Sequence, residues 1–271
     1  MWWRGVVGAV VVLGIATVSG ARAQELPPGE PLAYAVFSGA ETRLGKHVKV
    51  YGNVGSNDTI RIGRKNRIDG LVAAPTIDLG RNAKTGLLFC LLVVGGDHPC
   101  LPVTAPVVSP GSLGVGLVLP GTEDVDVPRR AHRAPLEAGS YKTLSLGRGS
   151  ELMLLGGDYL FDRVSLARKA TLTCATACRV AIRRTLRLGS RSTVQGLAGV
   201  GPADLRFDVS GQKARTGVKL GKRASFAGIL WAPATTVTLG SRAKVAGSVQ
   251  GAELRIGARA QIGTQTEAST E

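Results

Sequence analysis

Short runs in which apolar and polar residues alternate recur along most of this chain, and each run ends at a glycine. Val218-Lys219-Leu220-Gly221-Lys222-Arg223-Ala224-Ser225-Phe226-Ala227-Gly228 is one such phrase, and Val237 to Gly247 repeats it almost residue for residue. A period of two marks a strand with one inward face, and the glycines mark corners where the backbone turns. The first glycine of each phrase follows Leu or Ile at Gly45, Gly63, Gly80, Gly147, Gly189, Gly221, Gly240 and Gly257, with Ala167 in the equivalent place. Where copies adjoin, these corners lie 17 to 22 residues apart.

A period near 18 with several short strands in each copy is what a solenoid requires, because each coil must return the chain one strand spacing further along the axis. The pattern predicts an all-β, single-stranded parallel β-helix (β-solenoid) of about 17–20 residues per coil. Its inward ladders are Leu44, Val48, Val50, Ile60, Ile62 and Ile68 in the early coils, and Leu144, Leu146, Leu152 and Leu154 in the later ones. Helices are disfavoured by the β-branched residues and the 37 glycines. Aromatics make up only 4% of the chain, in keeping with a narrow interior of stacked aliphatics.

The alternation divides the chain. Residues 1–23 carry Arg4, an apolar run from Val6 to Val18 and Ala21-Arg22-Ala23, the form of a secretory signal peptide whose cleavage leaves Gln24 first. An uncleaved anchor is the alternative, but the run is shorter than the roughly 20 residues that span a bilayer. Residues 24–40 form a linker and lead-in containing Pro27 and Pro28. Coils are expected at 41–86 and 141–263, and residues 264–271 form a polar tail. Between them, 87–140 breaks the pattern with seven prolines and a charge block of Glu123, Asp124 and Asp126 followed by Arg129, Arg130, His132 and Arg133. Proline gives no ladder hydrogen bond, so this segment is expected as one Pro-rich insertion outside the stack, either a binding arm or a plain surface excursion.

An even count of four cysteines in an exported chain points to disulfides. Of three connectivities, Cys90 with Cys100 and Cys174 with Cys178 closes the shortest loops. A zinc site is the alternative, but the two pairs lie 74 residues apart and His98 adds little. No metal or other cofactor is expected.

Two stretches, Leu-Gly-Lys-Arg-Ala-Ser-Phe-Ala-Gly-Ile-Leu-Trp-Ala-Pro (220–233) and Leu-Leu-Gly-Gly-Asp-Tyr-Leu-Phe-Asp (154–162), resemble a family of exported bacterial β-helix repeat proteins. More distantly, the chain is similar to the bactofilins, polymer-forming cytoskeletal proteins. The resemblance implies a β-helix and, through the bactofilins, self-assembly.

Charge then singles out one edge. Lys46, Arg64, Arg81, Arg148, Arg168 and Lys222 directly follow a first corner residue, and Arg191, Arg223, Arg242 and Arg259 come one place later. If the coils stack in register, these ten residues form a basic ladder. The formal net charge of +15 becomes +13 once Arg4 and Arg22 leave. Aromatics are not interleaved with the cations, so base stacking on a specific nucleic acid is not expected. The anticipated partner is an anionic polysaccharide or another envelope polyanion such as lipopolysaccharide phosphate, teichoic polymer or released DNA.

Catalysis has weaker support. Asp158 with Asp162, and Asp204 with Asp208, are each four residues apart. On one strand face that separation is about 13 Å, too wide for either glycosidase geometry. The expected function is therefore a secreted or cell-envelope, non-enzymatic structural or adhesive solenoid, with the basic edge as its candidate surface for polyanions. An extracellular scaffold polymerising end to end and a polysaccharide-active enzyme are the alternatives. No transmembrane segment is expected in the mature chain.

Overall fold

The computed structural model describes residues 34–95, 99–101, 120–211 and 217–263. Residues 1–23, read above as a signal peptide, the tail 264–271 and His98 lie outside the described residues. The chain forms a parallel β-solenoid of about ten turns, without α-helix among the described residues. Each full turn has three short strands and three corners, shown by Glu41–Leu44, Lys49–Val50 and Asn53–Ser56. Burial alternates as the sequence requires: Thr59–Ile62 reads partly buried, buried, exposed, buried. The aliphatic ladders are real, with Leu44, Ile62 and Leu79 stacked in register and each at most 5% exposed. Burial of each such side chain contributes roughly 1.5–3 kcal/mol relative to exposure.

Rung order in space is not chain order. On the face leading into the basic corner, the strands run 124–127, 143–146, 163–166, 185–188, 218–220, 237–239, 254–256, then 42–44, 59–62, 76–79 and 92–94. The first described strand, Tyr34–Ser38, lies in mid-stack between 249–251 and 53–56. The last described residues also arrive there, with Tyr51 N–H donating to Ile262 O at 2.7 Å. Among the described residues, the two ends of the stack are therefore built by internal segments, with Leu92–Val94 at one end and Asp124–Val127 at the other.

This arrangement takes in parts of the chain expected to lie outside it. Tyr34–Ser38, assigned above to a lead-in, is a full strand. Leu88–Phe89, Leu92–Val94, Asp124–Val127 and Gly139–Ser140 extend the stack into both flanks of segment 87–140. Proline does not prevent this, because Pro128 occupies a corner rather than a strand interior. Elsewhere the corner N–H donates to the preceding rung, as Gly147 does to Val127 O and Gly45 to Ile256 O. Pro128 stands on the terminal rung, where no described rung offers an acceptor, so its missing N–H costs nothing.

The junction between 34–95 and 120–263 is closed like any other pair of rungs. Gly39 and Gly45 donate to Gly251 O and Ile256 O at 2.9 and 2.7 Å. Inside it, Thr42 replaces the usual aliphatic residue, and its hydroxyl donates to Ser38 Oγ at 2.7 Å, which donates to Ser56 Oγ at 3.0 Å. Outside it, Glu41 pairs with Arg43 at 2.7 Å and Arg61 at 3.1 Å, beside the Glu253–Arg255 pair. The hydrogen bond from Arg43, aided by the field of nearby arginines, holds the Glu41 carboxyl below the ordinary glutamate range despite the opposing effect of burial. A carboxyl depressed in the folded state adds stability that is present above its unfolded value, near 4.3, and is lost as pH falls through the lower folded value. Glu41→Gln is accordingly expected to melt lower than the wild type at pH 6, with the gap narrowing by pH 3. A gap independent of pH in calorimetric scans would dismiss the assignment.

Candidate functional site: a basic corner

Each turn leaves its first strand through a two-residue corner that points into solvent. The second corner residue adopts a left-handed backbone, with φ of 56–61° at His47, Lys65, Asn82, Arg130, Lys169, Arg191, Arg223, Arg242 and Arg259, and Gly149 takes φ 67° in the same place. Its N–H donates to the carbonyl of the first corner residue on the next rung. The series runs Arg130 to Arg148, Gly149 to Arg168, Lys169 to Ser190, Arg191 to Lys222, Arg223 to Ser241, Arg242 to Ala258, Arg259 to Lys46, His47 to Arg64 and Lys65 to Arg81. All nine bonds measure 2.9–3.1 Å, so one unbroken backbone seam runs along this edge and crosses the junction at Arg259–Lys46.

Two columns of side chains flank the seam. The first holds Arg129, Arg148, Arg168, Lys222, Lys46, Arg64 and Arg81, and the second holds Arg130, Lys169, Arg191, Arg223, Arg242, Arg259 and Lys65. Every one is exposed. All ten cations singled out from sequence are thus brought onto one edge. Four more, Arg129, Arg130, Lys65 and Lys169, complete it. The first two were assigned above to the charge block of the insertion and not to a corner, because Val-Asp-Val-Pro-Arg-Arg-Ala (125–131) carries proline in place of the marker glycine, although its flanking pattern matches Val-Lys-Leu-Gly-Lys-Arg-Ala (218–224). Lys65 and Lys169 each follow an arginine already assigned to the corner.

Acidic side chains are kept away. No Asp or Glu occupies either column, and among the described residues none of the fourteen cations forms an ion pair. The carboxylates sit on the flat faces with other arginines: Asp162 with Arg183 at 2.7 Å, and Asp208 with Arg206 at 2.8 Å and Arg179 at 3.1 Å. Asp162 and Asp208 are almost completely buried beneath these guanidinium groups, whereas Asp158 and Asp204 are exposed. The aspartates weighed above as catalytic pairs are therefore in unlike surroundings, and one of each pair is committed to arginine.

A left-handed backbone favours Gly, then Asn, because Cβ crowds the neighbouring carbonyl by roughly 1 kcal/mol in other residues. Seven of ten second-column positions nevertheless carry Lys or Arg. Adjacent unit charges about 5 Å apart also repel by roughly 0.8 kcal/mol in water. Backbone preference and mutual repulsion both oppose this choice of residue, so local folding requirements do not account for the charge.

The cysteines divide. Cys90 and Cys100 form a disulfide, with Cα atoms 5.7 Å apart, near one end of the stack, where Leu101 pairs with Phe89. The second expected disulfide is absent: Cys174 and Cys178 are buried thiols. The corner 175–177 brings both sulfurs into the core, where they share a hydrogen bond. That bond, with burial, pushes the Cys174 thiol far up, while the bond received by Cys178 lowers its own value. Alkylation of the native protein should modify neither residue, and unfolding without reductant should release two reactive thiols by mass. Release of none would mean that the pair is oxidised.

No protein-family model matches the chain, and no curated protein is significantly similar to it. The likeness to exported repeat proteins and bactofilins therefore rests on the coil pattern alone, and function must be argued from the corner.

Proposed function

We propose that this protein is a non-enzymatic, exported structural or adhesive solenoid that holds anionic polymers of the bacterial envelope or matrix along its basic corner. The observation that carries this reading is the two-column array of fourteen exposed cations without a carboxylate among them. Each cation meets a ligand charge in high dielectric and is worth only about 0.5 kcal/mol, so useful affinity requires many contacts at once. A polymer supplies them. Export is supported by the signal-like segment 1–23 and by the Cys90–Cys100 disulfide, which suits an oxidising compartment.

End-to-end polymerisation is the weaker reading. The Asp124–Val127 edge presents Asp124 and Asp126 outward and is followed by Pro128, devices that blunt a strand edge against pairing. Catalysis has less support, since Asp162 and Asp208 are tied to arginines.

The test replaces Arg223, Arg242 and Arg259 together by Asn, a residue that tolerates the left-handed backbone. Three lost contacts at about 0.5 kcal/mol each amount to roughly a tenfold loss of affinity for an anionic polysaccharide near 0.1 M salt. The melting temperature is expected to stay level or rise, because strain and repulsion are relieved together. Unchanged affinity would place binding elsewhere on the molecule, and a lower melting temperature would make the cations structural.

A further inference from the structure

We infer that the polymer is a linear acidic polysaccharide with one carboxylate per sugar, lying parallel to the solenoid axis and crossing the junction between 259 and 46, so that it clasps residues 34–95 onto residues 120–263. This rests on the polyanion reading above and adds direction, chemical class and consequence to it. The cations recur once per rung, about 4.8 Å apart, along an unbroken seam of ten rungs, so the edge is about 43 Å long. A 1,4-linked polyuronate is extended and slender, with a carboxylate on every sugar, so its charges stay within reach of the seam along its whole length. Those of duplex nucleic acid do not. Its phosphate strands wind about a wide cylinder, and each returns to the same side only once per helical turn of about 34 Å, leaving most of the ladder unmatched.

The junction gives axial binding its consequence. Arg242 and Arg259 belong to the last coils of the chain, while Lys46, Arg64 and Lys65 belong to the first, yet the seam passes between them without a break. A chain gripping two cations on each side must cover four rungs, about 14 Å, or roughly four sugars. Such a ligand binds only while the two segments remain docked, so it opposes opening of the junction by mass action.

The test titrates the whole protein with size-defined oligogalacturonates of two to sixteen sugars, and with duplex DNA of matched length. Affinity is expected to rise about thirtyfold between four and eight sugars, at a modest gain for each added contact, and to level off near ten. With the decamer at a hundred times its Kd, hydrogen exchange of the Gly45 and Tyr51 amides is expected to slow about a hundredfold. The disaccharide at equal occupancy should leave it unchanged. Saturation by three sugars would show a polymer lying across the edge, and tighter binding of DNA would show the wrong class; either overturns this inference while leaving polyanion binding in place. Slowed exchange without length dependence, or length dependence without slowed exchange, would also overturn it. Failure of every polyanion to bind would remove the function proposed above as well.

Discussion

Replacing Ile62 by Asp is expected to unfold the coils formed by residues 34–95. Ile62 is 2% exposed and stacks between Leu44 and Leu79. The substitution removes about 1.5–3 kcal/mol of apolar burial and leaves a carboxylate without a partner in an aliphatic ladder. The combined loss, about 4–5 kcal/mol or more, approaches the whole stability of many domains. Because each rung touches only its neighbours, the damage should start locally and spread through adjacent coils rather than spare them. The same change one residue earlier, Arg61→Asp, falls on the solvent side and forfeits mainly a partly exposed pair with Glu41, worth no more than about 1 kcal/mol. Thermal melts followed by circular dichroism should separate the two variants widely. Similar losses at both positions would contradict the alternation on which the fold rests.

Reversing five corner cations is expected to abolish polymer binding. Arg168, Arg191, Arg223, Arg242 and Arg259 occupy five successive rungs in the centre of the ladder. Each Arg→Glu change removes an attraction and substitutes a repulsion, together about 1 kcal/mol at an exposed site. Five such changes amount to roughly a thousandfold or more in affinity. Reversing Arg61, Arg67, Arg179, Arg206 and Arg255 on the flat faces alters net charge equally but breaks existing ion pairs instead of the ladder. That control should lose stability and keep most of its affinity. If both sets weaken binding alike in equilibrium titration, net charge rather than the corner attracts the polymer.

Much of the fold could be read from residues such as Leu220-Gly221-Lys222-Arg223-Ala224, where alternation and corner stand side by side. Their recurrence is a direct record of the coil, because an inward ladder needs an apolar residue at the same place in every turn. Rung order left no such record. Ile256 and Leu44 are neighbours in space, but any coil bearing the common phrase would fit there equally well, so the mid-stack position of Tyr34–Ser38 emerges only from the pairing. The missed rung at Pro128 has a different cause: its position at the end of the described rungs removes the demand for an N–H that elsewhere excludes proline. Corner chemistry was half legible. Lys and Arg are visible as charges, but the left-handed backbone beneath Arg191, Arg223 and Arg242, which turns an ordinary solvated corner into a costly choice, is a property of the folded turn. Cys174 and Cys178 have disulfide-like spacing, and nothing in that spacing separates two buried thiols from a bond.

The most direct test of the basic corner is arginine footprinting of the whole protein with a dicarbonyl reagent, read residue by residue by mass spectrometry, with and without a saturating linear polyuronate. The account predicts protection of Arg191, Arg223, Arg242 and Arg259 on the corner, with Arg179, Arg206 and Arg255 on the flat faces reacting as before. Protection of the flat-face arginines, or equal protection of both sets, would contradict it.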